Sequence, residues 1–128
     1  MTYYFSKTID AGFDEAVGRA REALKAEGFG VITEIDVQKT LKTKIDVDFR
    51  RYLILGACNP AMAYEALQIE DKVGTMLPCN VVIQEREPGR VEIAAIDPVA
   101  SMQAIENPRL TEKAAAVADK LRNALERI

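Results

Sequence analysis

The chain contains no histidine. That single absence removes Ser-His and Cys-His triads, HExxH zinc sites and His-ligated haem together, because each needs imidazole as base or ligand. Any acid or base must be a carboxylate, a thiol, Lys, Tyr or a bound water. Cysteine is scarce as well, with 2 in 128 residues. That is too few for a disulfide framework, and in a reducing cytoplasm both are expected as thiols. No stretch approaches the roughly 18 consecutive apolar residues of a membrane-spanning helix. The N-terminal MTYYFSKTID lacks a basic segment followed by an apolar run of signal length. The expectation is a soluble, cytoplasmic protein with no membrane partner.

A basic stripe is missing too. The 17 Lys and Arg are scattered among 20 Asp and Glu, for a net charge of −3, which argues against a nucleic-acid partner, since phosphate neutralisation needs clustered cations. Neither a Walker loop nor GxGxxG nor GxSxG occurs, so phosphate cradles and the hydrolase elbow lack support. Low-complexity segments and internal repeats are likewise absent, and Pro and Gly stand singly between periodic segments rather than in a linker.

What is present is ordinary globular material: 48% hydrophobic and 29% charged residues, enough for one domain over residues 1–128 with one core. Tyr3 to Ile9 alternates aromatic and polar residues and predicts a first strand. Asp10 stands where a helix N-cap would be. Phe13, Ala16, Val17, Ala20 and Leu24 then recur at helical spacing until Gly28 supplies the C-terminal stop. Phe29 to Val37 is rich in β-branched residues; strict alternation puts Ile32, Glu34 and Asp36 on one face and Val31, Thr33 and Ile35 on the other. Gln38 to Lys44 is polar and reads as a short helix or loop on the surface.

Arg51 to Cys58 (RYLILGAC) is a nearly continuous apolar run of strand length and predicts a central strand. Pro60 opens a short helix carrying Met62, Ala63, Ala66 and Leu67. Leu77 to Arg86 and Arg90 to Asp97 are two strands joined by a turn at Glu87, Pro88 and Gly89. Asp97-Pro98 ends the last strand and begins a turn. Asn107 and Pro108 form an N-cap and first helical residue, and Leu110, Ala114, Val117, Leu121, Leu125 and Ile128 mark the buried stripe of a final helix. Strand, helix, strand, strand, helix, strand, strand, helix is neither parallel alternation nor an all-β run, so the expected fold is α+β, a mainly antiparallel sheet with helices packed on it.

The two cysteines sit in matching dipeptides, in GACNP (Gly56 to Pro60) and LPCNV (Leu77 to Val81). Asn59 and Pro60 are a good cap and helix starter, which would leave Cys58 at the end of a strand beside the positive end of a helix. Such surroundings raise a thiol's thiolate fraction. Cys58 is therefore a candidate nucleophile, redox centre or soft-metal ligand, and equally a small buried hydrophobe closing a strand. Cys79 shares a face with Val81 and Ile83 and by itself reads as core. If the strands are neighbours, two thiols and two amides, Asn59 and Asn80, meet. Two sulfurs without histidine still fall short of a closed zinc site. Glu34 and Asp36, two residues apart on a strand, have the spacing of paired carboxylates that share a cation, and also the pattern of a solvent face. Lys42 and Lys44 are possible counter-ions to them, or part of a solvated surface cluster.

GFGVITEIDV, ILGACNP, LPCNV and the AIDP that ends the last strand together resemble the domain of unknown function 302 family over nearly the whole chain. The resemblance implies a TATA-binding-protein-like α+β fold, a curved antiparallel sheet of about five strands with helices on one face, and a tendency toward homodimers. It carries over no reaction, substrate or cofactor. Glu34, Asp36, Cys58, Asn59, Pro60, Cys79 and Asn80 match the family's motif positions. Three readings of function follow. One is a homodimeric module that binds or senses a small ligand or a soft metal, with Glu34, Asp36, Cys58, Asn59, Cys79 and Asn80 as candidate ligand residues and Cys58 and Cys79 as the metal candidates. Another is a thiol-dependent redox or acyl-transfer enzyme built on Cys58, with Glu34 or Asp36 as acid or base. The third is a purely structural or partner-binding protein.

Overall fold

A computed structural model describes residues 2–128. In chain order the elements are β1 (Tyr4–Asp10), α1 (Phe13–Ala26), β2 (Gly30–Asp36), α2 (Val37–Ile45), β3 (Tyr52–Cys58), α3 (Pro60–Ile69), a 3-10 turn (Asp71–Met76), β4 (Cys79–Glu87), β5 (Arg90–Ile96), α4 (Pro98–Ser101) and α5 (Pro108–Arg127). The strands form one five-stranded sheet in the order β1-β5-β4-β3-β2, antiparallel at every junction. Helices lie on one side, so the fold is the α+β architecture expected. Because β1 and β2 stand at opposite edges, α1 crosses the whole sheet between them.

Alternation decides which side chains meet the helices. Leu53, Leu55 and Ala57 of β3, Cys79, Val81 and Ile83 of β4, and Val91, Ile93 and Ala95 of β5 are buried against Ala16, Ala20 and Leu24 of α1 and Leu121, Ala124 and Leu125 of α5. A smaller cluster lies off the sheet, where Ala66 of α3, Val73, Met102, and Leu110 and Ala114 of α5 pack together. The long helix α5 thus serves both clusters, its first turns in one and its last turns in the other.

Several sequence expectations shift. Asp10 does not cap α1: it is the last residue of β1, paired with Arg90, and Gly12 occupies the cap position without a side-chain bond. Gly28 does follow α1, at φ +87°, a left-handed conformation that costs glycine nothing. Gln38 to Lys44 lies within α2, whose N-terminus is capped by Asp36 Oδ1 accepting the Lys39 N–H at 2.9 Å. Asp97 likewise caps a helix rather than a turn, accepting from Val99 N at 3.0 Å. On α5, Ala118 and Ala124 join the buried stripe, and Val117 is only partly buried.

The largest correction is in β2. Its pairing with β3 slips between Val31 and Thr33, a bulge at Ile32. Val31, Glu34 and Asp36 therefore stand opposite Ala57, Leu55 and Leu53, on the helix side, while Thr33 and Ile35 stand opposite Gly56 and Ile54 on the other side. One inserted residue reverses the face assignment that strict alternation predicts for Val31 relative to Glu34 and Asp36.

Candidate functional site

The site is assembled where β3 ends and α3 begins. Asn59 adopts an extended conformation and its Oδ1 accepts the Met62 N–H at 3.2 Å, with Pro60 as the first helical residue. The cap and starter expected from CNP are therefore present, and Cys58 closes β3. Ala57 is paired with Cys79 across β3 and β4, so the two cysteines, one position off register, come to the same end of two neighbouring strands. Both are free thiols.

Between that strand end, α3 and α5 is a cavity of about 240 Å³. It lies on the seam of the two hydrophobic clusters: Phe29, Ala57 and Cys79 line it from the larger, Ala66, Met102, Leu110 and Ala114 from the smaller. Cys58, Asn59, Met62, Ala63, Leu77 and Pro78 also face it, and the wall is almost wholly apolar. Among the described residues the sole charged side chain on it is Lys113 of α5, whose Nζ pairs with Glu65 Oε2 of α3 at 2.7 Å. The two thiols differ in setting. Cys58 is half-buried, whereas Cys79 is buried. Burial, with a smaller like-charge effect of Cys58, pushes the Cys79 thiol from its ordinary 9.0 to about 11. At neutral pH Cys79 is a neutral thiol, a poor nucleophile and a poor metal ligand until it loses its proton.

The remaining sequence candidates lie elsewhere. Asn80 is exposed and stands opposite Gly56 on the sheet face away from the helices, where it lines a recess with Tyr3, Tyr4 and Tyr52. The second Cys-Asn dipeptide is thus split by the two-residue period of its strand, Cys79 inward and Asn80 outward. Glu34 pairs with Arg21 of α1 at 2.5 Å and Asp36 caps α2; together with Asp14 and Arg51 they border a polar recess of about 120 Å³ on the helix side. The counter-ion of Glu34 is Arg21, and Lys42 pairs instead with Asp46 at 2.8 Å and Asp48 at 3.2 Å. Among the described residues no group of three or more His, Cys, Asp or Glu is placed to hold a metal ion, and no helix is long and apolar enough to cross a membrane.

Sequence reasoning missed Lys113 and the methionines. The available signal was a lysine flanked at helical spacing by Leu110 and Val117 and followed by Ala114, a cation on the margin of an apolar stripe. Lysines on such margins are common, and only the position of α3 makes this one face a cavity.

Comparison with known proteins covers nearly all of this architecture. A family model described as "Domain of unknown function DUF302" matches residues 5–128. The solved structure titled "Crystal structure of uncharacterized conserved protein DUF302 from Bacillus stearothermophilus" is 32% identical and superimposes with a TM-score of 0.91, over 99% of this chain and 98% of that one. Among curated proteins nothing matches. With the family model matching residues 5–128 of a 128-residue chain, the chain belongs to the DUF302 family.

Proposed function

We propose that the protein is a small-ligand-binding module whose site is the apolar cavity between α3, α5 and the ends of β3 and β4. The cavity itself carries the reading. Interiors are normally packed to the density of organic crystals, and an engineered apolar cavity of about 150 Å³ is enough to bind benzene. A space of about 240 Å³ walled by alanine, methionine and leucine is therefore a receptacle for an apolar group. Methionine and small side chains suit such a wall, because one adapts its shape and the others leave room. A soft metal is the weaker occupant, since two thiols supply half a tetrahedral set and one of them is held in its neutral form.

Two-dimensional amide NMR with octanol as probe tests the reading. Shifts are expected to concentrate between Ala57 and Ala66 and between Leu110 and Val117, with melting temperature rising as octanol saturates. At about 100 times its Kd a ligand stabilises by roughly 2.7 kcal/mol. Ala63→Phe, which fills the space from α3 without entering either buried cluster, is expected to abolish both effects. Shifts scattered over the surface, or unchanged by Ala63→Phe, would remove the cavity from consideration.

The same reading includes a second copy of the chain. The sheet face away from the helices leaves Tyr4 and Ile35 39% and 50% exposed, beside the half-buried Ile54, Val82 and Ile96. These apolar side chains stand on a face that also carries Thr33 and Asn80, and a second copy seated there would cover them. Sedimentation velocity is expected to report a dimer that Ile35→Glu converts to monomer; a wild-type monomer at tens of micromolar would eliminate it.

A further inference from the structure

We propose that the ligand of this cavity is an amphipathic monocarboxylate, an alkyl chain of about eight carbons whose carboxylate meets Lys113 at the mouth. The inference rests on reading the cavity as a binding site, and it adds the charge of the occupant. Size sets the chain: a cavity of about 150 Å³ holds the six carbons of benzene, so about 240 Å³ has room for a chain of about eight carbons.

Charge sets the head. Among the described residues Lys113 is the one basic side chain on the wall, and no Asp or Glu shares that wall. Its partner Glu65 lies outside the lining, so the ion pair bridges α5 to α3 at the rim, with side chains 40% and 51% exposed. A cation so placed has one anion outside the lining and an apolar wall beside it. An entering carboxylate keeps part of its hydration at the mouth, shares or takes over the ammonium, and leaves its alkyl chain to the dry wall. An alkyl ammonium would instead set like charges together, and an alcohol would gain only the apolar contact. The exposure of the pair keeps the gain modest, in the range of surface ion pairs.

The experiment is a calorimetric titration at pH 7.5 and low salt with octanoate, octanol and octylamine, on the wild-type chain, Lys113→Gln and Glu65→Gln. Octanoate is expected to bind about three- to fivefold more tightly than octanol, and octylamine most weakly. Lys113→Gln should bring octanoate down to the affinity of octanol while leaving octanol unchanged. Glu65→Gln frees the ammonium and should tighten octanoate about twofold. Unchanged melting temperatures of the unliganded variants establish that the cavity is intact. Octanol binding as tightly as octanoate, or Lys113→Gln weakening both equally, overturns the carboxylate and leaves the cavity reading standing. Failure of all three probes on the wild-type chain overturns the cavity reading and the carboxylate with it.

Discussion

Gly56→Ala is expected to cost about 3 kcal/mol of stability, the upper part of the range for overpacking a well-packed interior. A Cβ on Gly56 would overlap Thr33 Oγ1, lie 2.7 Å from Pro78 Cγ and lie 3.3 Å from Thr33 Cβ. The hydroxyl can turn away by a change of rotamer. The proline ring cannot, because it is fused to the backbone that leads into β4. Nor can β3 retreat, since β2 and β4 are hydrogen-bonded to it on both sides. The glycine of GACNP is therefore a packing requirement: it lets the bulged edge of β2 and the entry to β4 close over the strand that carries Cys58. Urea denaturation of Gly56→Ala and of the double variant with Thr33→Ala reads this directly. Thr33→Ala removes the worst overlap and should recover part of the loss, a favourable coupling between contacting sites. A Gly56→Ala chain as stable as wild type would show that the strands have room to part.

A second large effect is expected at alkaline pH. The Cys79 thiol is raised from 9.0 to about 11, first by burial and then by Cys58. Below about pH 9 the thiol is protonated whether the chain is folded or not, and the group contributes no loss. Between pH 9 and pH 11 the unfolded chain releases the proton and the folded chain keeps it, so the unfolded state gains and stability falls as pH rises. The difference of two units corresponds to about 2 to 3 kcal/mol lost across that window. Lysine and tyrosine titrate there too, so the measurement is a comparison: denaturation of wild type and Cys79→Ala at pH 8 and pH 11. Cys79→Ala should start less stable and fall by about 2 kcal/mol less. In Cys58→Ala the slope should persist, slightly reduced, because burial is the larger cause. Parallel pH dependences for wild type and Cys79→Ala would mean that Cys79 opens to water before it ionises.

Much of the fold was legible beforehand, for local reasons. Asn59-Pro60 and Asn107-Pro108 start helices because a side-chain acceptor followed by a residue lacking an N–H satisfies a helix terminus within a few residues. The β4–β5 hairpin was visible in its flanking strands and in Gly89, which sits at φ +81°. The stripe of α5 was readable because burial on one face imposes the helical period. The 3-10 turn at Asp71–Met76 and the short α4 carried no comparable periodicity, being too brief to show one.

Local pattern thus specified the types of most elements, the α+β class and the strand-end setting of both cysteines. The tertiary structure decided the rest. Pairing with β3 revealed the bulge at Ile32, which no single-strand pattern contains, and so turned Glu34 and Asp36 to the helix side. Sheet register brought Cys58 and Cys79 to one end while sending Asn80 to the opposite face. The cavity exists because α5 spans two hydrophobic clusters that do not quite meet, and Lys113 faces it because α3 crosses there. Periodicity is a property of one segment and survives in sequence, whereas a void and its charge belong to the space between segments distant along the chain.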